Sequence, residues 1–212
     1  VAWKPDGSYA LICGGNGSLI KFDGSTFTSL TPVTTRWLRN VAWKPDGSYA
    51  LICGMYGTLL KYDGASTTAL STGISSDLWD VAWKPDGSYA LICGDGGKVL
   101  RCDGFSVTSL SSGVSDRLDG VAWKPVTGDY ALIVGYNGRM LKFDGSLFTR
   151  LSTGTTSRLQ GISWKPDGTY ALVGGSSNTL RLYDGTSIYG RQSFSSGDLY
   201  TVAWKPDGSY AL

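Results

Sequence analysis

Five positions, one repeat apart, carry five different chemistries. Leu38, Leu78, Leu118, Leu159 and Leu199 are followed by Arg39, Trp79, Asp119, Gln160 and Tyr200. A second set varies in the same way: Gly15-Asn16, Met55-Tyr56, Asp95-Gly96, Tyr136-Asn137 and Ser176-Ser177. Arg, Trp and Tyr dominate binding hot spots because they join a large contact area to a polar or cationic group. Arg39, Trp79, Asp119, Gln160, Tyr200, Tyr56, Asp95 and Tyr136 are therefore the candidate ligand-binding residues. Asp80 and Asp119 are the only acids expected near the mouth of a central channel. Paired carboxylates hydrolyse glycosides when their separation is right, but nothing in the sequence fixes that separation. The chain has no His. This removes Ser-His-Asp and Cys-His nucleophiles, His-ligated zinc and a histidine pH switch. No catalytic residue, metal or cofactor is expected, and the chain does not read as an enzyme.

The cysteines fit that view. Cys13, Cys53 and Cys93 occupy one repeat position, which Val134 and Gly174 fill elsewhere. Equivalent points on different repeats lie beyond the roughly 7 Å Cα separation a disulfide allows. These thiols are expected to be small buried apolar groups. Cys102 falls on a strand next to Cys93, in a register that does not pair them. With no Cys-x-x-Cys, a structural zinc site has no basis. The glycine-rich loops join strands rather than opening a helix, so they are not phosphate loops. The Asp-Gly turns lack the dense oxygen ligands calcium takes. Unpaired thiols and the lack of a signal-peptide pattern favour a cytoplasmic setting, although the compartment stays open.

What must position the variable residues is a repeat. VAWKPDGSYALICG stands at 1–14, 41–54 and 81–94, with variants from Val121 and Ile162, and VAWKPDGSYAL returns at 202–212. Trp3, Trp43, Trp83, Trp123, Trp164 and Trp204 mark a period of 40 or 41 residues. The expected organisation is one domain over 1–212, with repeats 1–40, 41–80, 81–120, 121–161 and 162–201 and a partial repeat 202–212. Each unit reads as four short strands. VAWKP (A) and YALIC (B) flank a Pro-Asp-Gly turn, and SLIKF (C) and TFTSL (D) flank an Asp-Gly turn, a strong hairpin signal. No window has a helical period uninterrupted by Gly or Pro. The fold class is all-β, a β-propeller of four-stranded antiparallel blades of about 40 residues, with five full blades plus one extra A-B hairpin. The in-phase Trp residues are expected to pack between neighbouring blades.

The Pro-Asp-Gly turn resembles that of the WD-repeat propellers. So do the aromatic-Asp pairs closing strand C: Phe22-Asp23, Tyr62-Asp63, Phe143-Asp144 and Tyr183-Asp184, with Cys102-Asp103 departing from the pattern. The family's Gly-His pair is absent. The resemblance implies a scaffold for binding partners and carries over no catalytic residue.

In such a blade the A-B and C-D turns share one face, uniform here. The B-C loops and D-A segments share the other, which carries every variable residue above. The residue after the fixed Leu should then rim the central channel. A fixed scaffold with variable loops suits recognition of a protein or peptide. Aromatic stacking on sugars, as in a lectin, is one alternative. A recently amplified or engineered array without a ligand is another. Nucleic acid and membrane partners are not expected: 19 basic residues face 17 acidic ones for a net charge of +2, and no apolar run approaches the roughly 20 residues of a span. The terminal hairpin invites two readings. It completes the first blade in place of residues 1–11, which would then be spare or exchanged in self-association, or it begins a sixth blade. Arg181 and Arg191 replace apolar residues in repeat five and suggest an exposed outer edge or a chain-chain contact.

Overall fold

The computed structural model describes residues 1–191 and 197–212. The chain forms two compact units, Val1–Ser111 and Ser112–Leu212. Among the described residues every sheet has four antiparallel strands in sequence order.

The first unit holds three sheets. They are β1 (Ala2–Trp3), β2 (Ala10–Cys13), β3 (Leu19–Phe22) and β4 (Phe27–Ser29); β5 (Leu38–Trp43), β6 (Ala50–Gly54), β7 (Leu59–Tyr62) and β8 (Thr67–Ala69); and β9 (Leu78–Trp83), β10 (Ala90–Gly94), β11 (Lys98–Cys102) and β12 (Val107–Ser111). The second unit holds two. They are β13 (Leu118–Trp123), β14 (Ala131–Gly135), β15 (Met140–Phe143) and β16 (Phe148–Arg150); and β17 (Leu159–Trp164), β18 (Ala171–Gly175), β19 (Thr179–Tyr183) and β20 (Ile188–Arg191). The only helical turns among the described residues are three-residue pieces in B-C loops, such as Met55–Gly57.

Local chemistry sets each turn. In the A-B turn Gly7 takes φ 72° and donates to the Lys4 carbonyl at 2.9 Å. Asp6 Oδ1 accepts from the Ser8 amide (2.9 Å) and hydroxyl (2.6 Å), and Lys4 pairs with its other oxygen. These donors hold the Asp6 carboxyl well below the usual range, with the lysine contact first among the causes. In the C-D turn Asp23 Oδ1 accepts from the Ser25 and Thr26 amides at 2.9 and 2.8 Å, while Gly24 takes φ 97°.

The second strand of a sheet is covered on both faces: every residue of β6, β10 and β14 is buried. Neighbouring sheets of a unit supply the cover. The strand-A tryptophan meets the tyrosine that opens strand B of the preceding sheet, edge to face. Ring centroids are 5.5 Å apart for Tyr9–Trp43, 5.4 Å for Tyr49–Trp83 and 5.6 Å for Tyr130–Trp164. The indole also donates backwards: Trp43 Nε1 to the Ala2 carbonyl at 3.2 Å, and Trp83 Nε1 to that of Ala42 at 3.3 Å. Trp43 and Trp83 therefore each pack and hydrogen-bond one sheet of the first unit to the one before it. A cation from strand C covers the other face of the same tyrosine: Lys21 on Tyr9 (4.2 Å), Lys61 on Tyr49 (4.2 Å), Lys142 on Tyr130 (4.1 Å).

The two ends of the repeat behave differently from one of the sequence readings. Residues 1–11 are not spare: β1 pairs with β2 and β2 with β3, so the first sheet is complete without the terminal hairpin. That hairpin forms by its own pairing, Trp204 with Ala211, and by reciprocal Ala203–Leu212 hydrogen bonds of 2.8 and 2.9 Å. It packs on the fifth sheet as the next A-B pair would, with Trp204 5.3 Å from the Tyr170 ring. Arg181 likewise differs from expectation. It is half-buried and turned inward, with Nε donating to the Thr153 carbonyl at 3.0 Å, so it ties a strand to the preceding linker. The side chain of Arg191 lies outside the described residues. The four cysteines are free, and burial raises the thiol pKa of Cys53, Cys102 and Cys13.

Candidate binding face

At one end of each sheet the B-C loop and the linkers into and out of that sheet are held together by backbone. In the second sheet Met55 donates to Trp37 O in the incoming linker (2.9 Å), and Gly57 donates to Ser76 O in the outgoing one (2.8 Å). Tyr136 to Arg117 O (2.9 Å) and Ser176 to Arg158 O (2.8 Å) repeat the first contact. The approach is close enough that a Cβ at Gly57 would run into the Ile74 carbonyl, and Gly57 has φ 69°. This explains why four of the five loops keep a glycine here while its neighbours vary; Asn178 takes the place in the fifth, at φ 60°.

The variable residue after the fixed Leu has a specific backbone role. The pairing of strands A and B shifts between Leu38 and Asn40, between Leu118 and Gly120, and between Leu159 and Gly161. In the third sheet Leu78 pairs with Gly94 and Asp80 with Cys93. Arg39, Trp79, Asp119 and Gln160 are thus the extra residues of four β-bulges. A bulge releases a side chain from the alternation of the strand and re-aims it.

The structure gathers these residues into separate clusters. In the first unit Arg39 lies over the Trp79 ring at 4.2 Å and the Trp37 ring at 5.4 Å. Trp79 donates Nε1 to Asp95 Oδ1 at 2.7 Å. Tyr56 stands on the adjoining loop, 55% exposed, with Arg36 5.2 Å over its ring and Arg36 Nη1 donating to its carbonyl at 2.9 Å. Its own amide donates to Asp77 Oδ1 at 2.8 Å. In the second unit Asp119, with 4% of its side chain exposed, accepts from Arg117 Nε (2.6 Å) and Arg158 Nη2 (2.8 Å). Both guanidinium groups lie over Tyr136, at 5.3 and 4.7 Å. Arg139 and Asn137 converge on Asp116 and hold its carboxyl below the usual range. Gln160 is buried and donates to Ser176 Oγ at 3.2 Å. Tyr200 stands apart, 71% exposed.

The eight candidates therefore divide by environment. Asp119 and Gln160 are buried and engaged, Asp95 holds Trp79, and Tyr56, Tyr136 and Tyr200 offer open aromatic surface. Trp37, 53% exposed, and Arg36 belong to the same surface and were missed. A signal existed: of eight Trp residues, Trp37 and Trp79 alone fall out of the repeat phase.

Tyr56 has φ 55° and ψ 41°, in the left-handed region. The equivalent loop positions hold Asn16, Gly96, Asn137 and Ser177. Asn and Gly reach this region at little cost, whereas a bulky side chain is strained there. Among the described residues no group of three or more His, Cys, Asp or Glu side chains is placed to hold a metal ion.

Five sheets of four antiparallel strands, about one per 40 residues, with almost no helix among the described residues, fit a WD-repeat-like β-propeller. The WD domain, G-beta repeat family matches residues 67–103 and 146–184. Both matched segments close on the Asp that ends strand C, Asp103 and Asp184, the residue that carries the resemblance in the sequence. No curated protein matches the chain. WD repeats typically form scaffolds that mediate protein interactions, and the family is generally non-catalytic.

Proposed function

We propose that this chain is a non-catalytic binding module that recognises a protein or peptide with its B-C loops and linkers. The observation that carries this reading is Tyr56. The loop holds a half-exposed aromatic residue in a left-handed conformation that costs of the order of 1 kcal/mol, where sister loops use Asn, Gly or Ser. Strain kept at an exposed aromatic is accounted for by what the ring contacts when a partner is bound. The bulges give the same end of four sheets a second variable side chain at a local shift in strand register.

Selection of a random peptide library on the immobilised chain tests the proposal. Enriched peptides should lose at least ten-fold in affinity on Tyr56→Ala or Tyr136→Ala. Substitution of Asp23, in a C-D turn at the opposite end of its sheet, should leave affinity unchanged. A library that enriches nothing, or peptides indifferent to the tyrosine changes, would end the reading in favour of an array with no peptide ligand.

A further inference from the structure

The first unit carries a depression of about 530 Å³ walled by Arg36, Trp37, Arg39, Met55 and Tyr56. Its two cations differ from those at the equivalent place in the second unit. There, Arg117 and Arg158 share Asp119, and Arg139 pairs with Asp116. Among the described residues neither Arg36 nor Arg39 has a carboxylate partner. The nearby acids serve other donors: Asp77 takes the Tyr56 amide, Asp80 takes Asn40, and Asp95 takes the Trp79 indole. Arg39 is held by the rings of Trp37 and Trp79 alone, and its Nε is buried with no hydrogen-bond acceptor. A guanidinium fixed over aromatic faces keeps its in-plane N–H edge for an incoming acceptor, and a carboxylate matches that edge with two parallel hydrogen bonds. A buried donor without an acceptor is a group awaiting one. The exposed rings of Trp37 and Tyr56 beside it favour an aliphatic or aromatic side chain over further charge.

We infer that this depression binds an acidic peptide segment, in which an Asp or Glu carboxylate reaches Arg39 and Arg36 and a neighbouring apolar side chain lies on Trp37 and Tyr56. The inference rests on the peptide-binding reading above and specifies its ligand chemistry. Charge complementarity selects the occupant: two arginines without an acid partner beside two open aromatic rings accept one carboxylate and one apolar side chain.

The test is a peptide array probed with the full chain, each acidic peptide printed beside its Asn/Gln counterpart, its phosphoserine counterpart and a set of acidic oligosaccharides. The expected result is retention of peptides with an acid next to an aliphatic or aromatic residue, and at least ten-fold weaker retention of the amide forms. Arg39→Gln and Trp37→Ala should each abolish the preference, with Arg39→Lys intermediate because it keeps the charge and loses the paired donors. Circular dichroism melts of each variant separate lost binding from lost fold. Should Arg39→Gln unfold the chain, Arg36→Gln, whose side chain is exposed, carries the same expectation. Peptides retained without preference for acids, or through Tyr136 and Tyr200 instead, would overturn the inference while leaving the peptide-binding reading standing. Retention of phosphopeptides or oligosaccharides alone, or of nothing, would overturn it as well.

Discussion

At the residue scale, the variable positions have two roles that their types do not distinguish. Asp119 is exposed by only 4% and joins two arginines. Replacing it with Ala leaves two guanidinium groups facing each other without a counter-charge. We expect about 2 kcal/mol of destabilisation, read by urea unfolding. The sequence offered Asp119 as a ligand-binding acid, and its second partner could not be seen there because Arg158 lies 39 residues away.

Titratable residues of the scaffold give predictions with definite signs. Lys84 and Ser88 hold the Asp86 carboxyl at about 2, below its unfolded value, so its contribution is complete above pH 4 and is lost between pH 4 and 2. Burial raises the Tyr49 phenol to about 12, so its contribution is complete below pH 10 and disappears as pH rises toward 12. Urea midpoints should fall in both windows, and absorbance at tyrosinate wavelengths should show Tyr49 ionising late. A midpoint flat from pH 4 to 2, or a tyrosine titration complete by pH 10.5, would contradict these assignments.

At the element scale, close backbone approach decides which glycines matter. Gly24 and Gly104 occupy the same C-D turn position with φ 97° and 92°. A Cβ at Gly24 would meet nothing within 4 Å, whereas one at Gly104 would strike the Tyr49 phenol, which donates to the Asp103 carbonyl at 2.8 Å. Gly24→Ala should cost about 1 kcal/mol from conformation alone, and Gly104→Ala about 2–4 kcal/mol because the inter-sheet tyrosine must move. Equal losses in thermal unfolding would contradict this difference. The Asp-Gly pair was legible from sequence as a turn. Its contact with a tyrosine one repeat earlier was not, since the repeat makes all five glycines look alike.

The same limit applies to the bulges. Strand A was expected at VAWKP and instead begins at the fixed Leu, because Leu38 pairs with Gly54 beyond the shift. A bulged residue needs no particular side chain, so Arg39, Trp79, Asp119 and Gln160 gave no common signal of their backbone role. Their variability was visible; their geometry was not. Trp37 and Arg36 precede the fixed Leu and so lie outside both variable sets, while the open aromatic surface of the first unit begins with them.

At the scale of the whole molecule, the repeat fixes the scaffold and leaves variation to a small share of the residues. Tryptophan, tyrosine and a strand-C cation recur between neighbouring sheets of a unit, which is why near-identical repeats can stack within it. Truncating Trp83, buried between two sheets of the first unit, should cost about 3–5 kcal/mol. The terminal hairpin repeats the tryptophan–tyrosine contact against the fifth sheet. Removing 202–212 should therefore lower the melting temperature of the chain by uncovering Tyr170 and the glycine-rich face of β18, where Gly174 lies under Leu199 and Val202. A melting temperature unchanged by that deletion would show that the hairpin adds no packing.

Tyr56→Asn separates recognition from stability at the loop end of the sheets. The substitution installs the residue that repeats one and four carry at this left-handed position. Chemical denaturation and affinity for library-selected peptides would be measured on the same protein. The account predicts a gain of about 0.5–1 kcal/mol in stability together with at least a ten-fold loss of affinity. Stability gained with affinity intact, or affinity lost only as the fold is lost, would contradict it.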